Sequence, residues 1–183
     1  MFFERSGPVW ETLRGLEARL DLANIQYVII GGLALNAYRY ARQTIDVDVV
    51  VTSEGFDVFR RSLAGEDYVP ATGAPRRFRD ARTDVTVDFL IAGELAGHRG
   101  KNRKIQFPDP GDAQLQMDLR TVTLPRLIEL KLVTWRYKDW GDVVELIRIN
   151  QLDESFADQL DSLVRSAFLQ CYDQANDPGY DAG

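Results

Sequence analysis

Tyr27-Val28-Ile29-Ile30-Gly31-Gly32 and the later stretch Ile45-Asp46-Val47-Asp48-Val49 decide how this chain folds; thirteen residues separate Gly32 from Asp46. The first reads as a buried strand stopped by a glycine turn. The second places two carboxylates inside an apolar, β-branched run. An unpaired buried charge is very costly, so something must neutralise them. A divalent metal is the usual answer, and a metal beside a glycine turn suggests nucleotide chemistry.

Strand geometry sharpens this. Alternation puts Asp46 and Asp48 on one side, their backbones about 7 Å apart. Carboxylates at that spacing can converge on one or two cations, while Ile45, Val47 and Val49 face a core. A solvent-facing edge strand, where aspartate is harmless, is the competing explanation. A third acid, Asp88, lies in Val85-Thr86-Val87-Asp88-Phe89-Leu90-Ile91. It too points away from Val87 and Phe89. If the two strands are neighbours, three carboxylates meet on one surface. Such a triad could hold metal for phosphoryl chemistry, with one acid also serving as base; one more exposed aspartate is the plainer reading.

Gly31 and Gly32 end a strand and open a helix, where backbone can approach a phosphate. No Gly-Lys-Ser/Thr follows, so this is not a Walker loop, and the spacing is not that of a Rossmann fingerprint. Outward from this centre, Val9, Leu13, Leu16 and Leu20 predict a helix from Pro8 to Leu22. Ile25–Ile30 and Ile45–Val51 read as strands, with a helix from Leu33 to Tyr40 between them. Ser53 reads as the N-cap of a helix carrying Phe56, Phe59 and Leu63 and ending at Gly65. Arg77–Asp80 and Val85–Ile91 read as strands joined by a polar turn, and Ile105-Gln106-Phe107 as a further short strand. Thr123 caps a predicted helix from Leu124 to Tyr137. Another helix runs to Ile149, and Phe156, Leu160, Leu163, Val164, Ala167, Phe168 and Cys171 mark a last long one.

The expected architecture is α/β (α+β): a mixed sheet flanked by helices in residues 1–118, a helical subdomain in 119–172, and a loose tail in 173–183. A length of 183 residues suits one domain, and 45% apolar residues suffice for a core. The net charge of −6 gives no long-range attraction to nucleic acid. One cysteine and one histidine argue against a disulfide framework and a zinc site. A metal site must then use oxygen ligands, which suits magnesium, manganese or calcium. No run is long enough to cross a membrane, and the N-terminal residues lack a signal-peptide layout, so a soluble cytoplasmic protein is expected.

Further residues bear on a site. Leu124, Leu127, Ile128, Lys131, Thr134 and Trp135 form one helical stripe, in which Lys131 needs a partner or an outlet. A phosphate or an aspartate would serve, as would snorkelling to water. Asp139 and Asp142 resemble a helix cap, and Asp142 could instead orient Lys131 or Arg136. Arg42 and Thr44 flank the acidic strand and either touch substrate or fix the loop. Two basic groups, Arg76, Arg77, Arg79, Arg82 and Arg99, Lys101, Arg103, Lys104, suggest a positive surface for a triphosphate or RNA, or plain solvated loops. His98 reads as a loop residue and Cys171 as core.

Taken together, Ile-Ile-Gly31-Gly32, the spacer, Ile-Asp46-Val-Asp48-Val and the later Val-Asp88-Phe resemble the nucleotidyltransferase superfold shared by DNA polymerase beta. The wider string Gly-Gly-Leu-Ala-Leu-Asn-Ala-Tyr, then Arg42-Gln-Thr44-Ile-Asp46-Val-Asp48, is similar to the AbiEii-type branch of bacterial toxin–antitoxin systems. Lys131, Arg136, Asp139 and Asp142 resemble that branch's second motif. The match spans roughly residues 25 to 150; Gly32 stands where many members have serine. The resemblance implies an enzyme moving an NMP from an NTP substrate to an RNA (such as tRNA), a protein or a small molecule. Mg2+ or Mn2+ would sit on Asp46, Asp48 and Asp88. Gly31, Gly32 and Lys131 would bind phosphate, supported by Arg42, Thr44, Arg136, Asp139 and Asp142. The rivals are a toxin-like component held by an antitoxin partner, a non-catalytic nucleotide binder, and an acidic scaffold.

Overall fold

The computed structural model describes residues 6–65, 67–97, 100 and 102–179. His98, Arg99, Lys101 and the last four residues of the tail lie outside them. Helix α1 (Pro8–Leu22) runs as its periodicity predicts, burying Leu13, Leu16 and Leu20. Strand β1 (Tyr27–Ile30) leads directly into α2 (Gly31–Ala37), whose first residue is Gly31 itself. Strand β2 (Asp46–Val51) follows, then α3 (Ser53–Ser62). The cap of α3 is Thr52, whose hydroxyl accepts the Gly55 N–H, and not Ser53. Strands β3 (Tyr68–Ala71), β4 (Ala74–Asp80) and β5 (Thr86–Ile91) come next. A short hairpin, β6 (Gln114–Gln116) and β7 (Leu119–Thr121), precedes α4 (Leu124–Leu132), α5 (Tyr137–Asn150) and α6 (Arg165–Ala175).

The seven strands form one mixed sheet in the order β3-β4-β5-β2-β1-β7-β6. The acidic strand β2 sits in the middle, antiparallel to β1 and parallel to β5. A parallel neighbour requires a crossover, and α3 with the β3–β4 hairpin supplies it. One face of the sheet is a full core. Val47, Val49, Val87, Phe78 and Phe89 are buried there, and the Phe59 ring of α3 packs at a tilt against the Phe89 ring, centroids 4.2 Å apart. Ion pairing of Arg19 with Asp67 and a hydroxyl contact between Thr12 and Thr83 pin α1 over the same side. The other face carries the acids, with α4 and α5 beyond them.

Several local expectations change. Ile45 does not face the core: it precedes the first paired residue of the strand and is 84% exposed. The expected helix from Leu124 to Tyr137 breaks at Thr134–Arg136, where Trp135 takes φ +58°, and restarts as α5. The expected helix from Phe156 is a 3-10 turn at Glu154–Gln159 followed by α6, which continues through Ala175. Ile105–Phe107 makes only a single bridge, between Leu95 and Gln106. The strands β3, β6 and β7 were not expected: four or three residues carry too little alternation to read.

Candidate active site

Register does most of the work of assembling the acids. In the parallel pair of β2 and β5, Asp46 lies beside Thr86 and Asp48 directly beside Asp88. Alternation then puts all three carboxylates on one face, and an oxygen from each lies within 4.8 Å of the other two. All three are half-buried. Burial, then the charges of Asp46 and Asp88, push the Asp48 carboxyl up to about 7, against the opposing pull of Lys131 and Arg136. The cluster is thus short of positive charge. Its donors are hard carboxylate oxygens, the set that magnesium and manganese prefer. The residues present therefore fit a divalent cation.

The glycines act on this cluster through space. Gly31 has φ +67°, and a Cβ there would meet Asp48 Oδ2 at 1.9 Å. A Cβ on Gly32 would meet Thr44 Oγ1 at 2.5 Å. Thr44 in turn donates its hydroxyl to Asp46 Oδ1 at 2.8 Å. The turn is glycine-rich because backbone must pass against the acids and the threonine that orients one of them. Thr44 thereby ties the preceding loop to Asp46.

Lys131 has its partners within the protein. It is 6% exposed, and its ammonium donates to Asp139 Oδ1 at 3.0 Å and Asp142 Oδ2 at 2.7 Å. Arg42 reaches Asp142 at 3.2 Å. Asp139 also accepts from Thr134 Oγ1 at 2.6 Å and from Arg136. Burial alone would raise the Asp139 carboxyl; Lys131, Thr134 and Arg136 outweigh it and hold the group below the ordinary range. Asp139 and Asp142 are not N-caps: both lie inside α5, buried, and Arg136 occupies the cap position without a side-chain bond. The network sits at the break between α4 and α5, where Thr134 and Arg136, both in the turn, donate to Asp139.

A cleft of about 470 Å³ joins the two groups. Asp48 and Gly31 form one end, Lys131, Thr134 and Arg136 another, and Leu90, Phe107, Leu127 and Leu130 supply apolar wall. Sequence reading missed Leu90 and Phe107 because nothing local distinguishes a cleft wall from a core.

Sequence reading also missed Arg77. It had been grouped with surface bases, but β4 pairs it opposite Asp88. Its Nε and terminal NH2 donate to the two Asp88 oxygens at 2.7 and 2.8 Å. The signal was present: a tight turn closing between Asp80 and Val85 fixes that register. The rest of the first basic group is also paired, Arg76 with Glu94, Arg79 with Asp84 and Arg82 with Asp80. Lys104 of the second group pairs with Asp161 at 2.7 Å. The expected positive surface is largely neutralised among the described residues. Cys171 is buried, and burial pushes its thiol up to about 12, leaving it inert. No described helix is long and apolar enough to cross a membrane.

No protein-family model matches the chain, and no curated protein matches it. Solved structures do. The solution structure of the antibiotic-resistance factor ANT(2'')-Ia superposes with a TM-score of 0.52 at 16% identity, covering 88% of this chain and 91% of that one. The crystal structure of ANT(2'')-Ia in complex with adenylyl-2''-tobramycin gives 0.51 at 16% identity, covering 88% and 99%. Identity at this level speaks to architecture alone, and on that ground the chain shares the mixed α/β fold of ANT(2'')-Ia.

Proposed function

We propose that this chain is a metal-dependent nucleotidyltransferase that moves an NMP from an NTP to a hydroxyl of a small molecule. The observation that carries the reading is the pairing of Asp48 with Asp88 on neighbouring strands, with Asp46 completing the triad and Asp48 lining a cleft. In the reaction the acceptor oxygen bonds to the α-phosphorus, and the bond from that phosphorus to the oxygen bridging to the β-phosphate breaks. Pyrophosphate leaves, and the hydroxyl proton passes to Asp88 or to solvent. Asp46, Asp48 and Asp88 would hold Mg2+ or Mn2+, which supplies charge neutralisation at the phosphate oxygens.

The remaining residues position the substrate. Gly31 lines the cleft and, with Gly32, lets the backbone pass against Asp48 and Thr44, which keeps the turn next to the phosphate's place. Lys131 gives two of its three N–H donors to Asp139 and Asp142, and its charge and remaining donor face the cleft that it lines. Arg136 stands at the cleft and supplies a more accessible cation; its side chain is 64% exposed. The apolar wall takes the base. Arg42, Thr44, Asp139 and Asp142 hold these groups in place. The division into a catalytic core over 1–118 and a helical subdomain over 119–172 belongs to the same reading, as does a cytoplasmic location.

A small hydroxylated acceptor is favoured because ANT(2'')-Ia, whose fold this chain shares, was crystallised with adenylyl-2''-tobramycin. The test is turnover of labelled NTPs with Mg2+ against small-molecule, RNA and protein acceptors. The reading predicts label transfer to a small molecule by the wild type and none by Asp46→Ala/Asp48→Ala. Equal behaviour of the two proteins across the panel would remove the enzyme claim for those acceptors. The AbiEii-type toxin reading, with an antitoxin partner, rests on the sequence resemblance around Gly31–Asp48 and at Lys131, Arg136, Asp139 and Asp142. It predicts growth arrest on expression that Asp46→Ala relieves.

A further inference from the structure

Arg77 stands apart from the other surface arginines because its partner belongs to the acidic triad. Its guanidinium spans both oxygens of Asp88 in a bidentate fork, the strongest geometry for such a pair. The strand register, and not a flexible loop, sets the contact. The fork sets an always-protonated guanidinium against Asp88. A fixed unit of positive charge therefore stands at the rim of a site whose proposed occupant is a dication. Arg76, one residue away, makes a similar fork to Glu94 outside the triad. Strand pairing alone does not require an arginine at this register.

We propose that Arg77 is a resident counter-ion for the third carboxylate: it neutralises Asp88 while the site is empty and lowers the affinity of the triad for divalent metal. This rests on the reading of Asp46, Asp48 and Asp88 as a metal site. Two effects of opposite sign meet at the residue. The fork orients Asp88, which favours metal binding, while its charge repels the ion. At this range the repulsion between a unit charge and a dication outweighs the gain from orienting one ligand. The Arg77 side chain is 54% exposed, so screening trims the effect. Removing the charge should strengthen binding by about tenfold. The consequence is a triad that binds metal weakly alone and well once a nucleotide's phosphates add negative charge.

The test is a titration of the full chain with Mn2+ at pH 8, without nucleotide, read by calorimetry and by thermal shift at low and high salt. Arg77→Gln is expected to tighten Mn2+ binding about tenfold at low salt and less at high salt. Arg77→Lys keeps the charge without the fork and should stay near the wild type. Arg76→Gln, which loses a fork outside the triad, should match the wild type. Unchanged or weaker binding in Arg77→Gln would overturn the proposal and leave the metal site standing. An Arg77→Lys protein that behaves like Arg77→Gln would also overturn it, by showing that the fork matters and the charge does not. Tighter binding in Arg77→Gln when the wild type binds little would support it. Silence from every protein would overturn both the counter-ion role and the metal site.

Discussion

At Asp48, burial and two neighbouring carboxylates raise the folded-state pKa from 3.8 to about 7. The native state thus binds this proton more tightly than the unfolded chain does. Its charge costs no stability below pH about 4, an increasing amount as pH rises from there to about 7, and a constant amount above. Asp48→Asn removes that penalty. The metal-free variant should melt higher than the wild type at pH 8, by several degrees, with the difference vanishing towards pH 4. Thermal melts across this range check the sign; a variant less stable at pH 8 would count against the burial argument. Gly31 gives a second expectation. A Cβ there would strike Asp48 Oδ2, and φ is +67°, so Gly31→Ala should cost about 2 kcal/mol or more. It should also abolish stabilisation by Mn2+. Gly93→Ala, at φ +82° but with open space around it, should cost stability yet keep the Mn2+ response. Loss of the response in both would point to general damage. The acids and the glycines were legible in the sequence because alternation and turn chemistry are local. The reason for the glycines was not, since it lies in Asp48 and Thr44, which are distant along the chain.

Among the elements, the junction of α4 and α5 departs furthest from its sequence pattern. The apolar stripe through Leu127, Ile128 and Lys131 predicts one helix running past Trp135, yet the chain turns at Thr134–Arg136. A buried charge network wins over local propensity there: Lys131, Asp139, Asp142, Arg42, Thr134 and Arg136 satisfy one another. Lys131→Met strips the buried carboxylates of their shared partner and should cost about 3–5 kcal/mol. Chemical denaturation measures this directly; a loss under about 1 kcal/mol would indicate a solvated pair of little weight. The same local logic explains which strands could be read. The strands β2 and β5 have six residues each, β5 alternating throughout and β2 over its first four residues. The strands β6 and β7 have three each, and no residue of β6 is buried. The pairing of β2 with β5, which makes the triad, could be stated from sequence only as a condition, because register between distant strands is a tertiary fact.

For the whole molecule, charge and topology point the same way. The chain carries a net charge of −6, and Arg76, Arg77, Arg79 and Arg82 each face a carboxylate. Non-specific RNA should therefore be bound weakly near physiological salt, which a gel-shift titration would show; tight, salt-sensitive binding would reopen an RNA acceptor. The central claim is that Asp46, Asp48 and Asp88 form a metal site serving a nucleotide in the adjoining cleft. Calorimetric titration of Mn2+ into the protein at pH 8, with a saturating non-hydrolysable NTP and a matched protein-free control, tests it most directly. The account predicts saturable uptake by the wild type that exceeds the control and is lost in Asp48→Asn. Uptake that is equal in Asp48→Asn, or absent from the wild type, would contradict it.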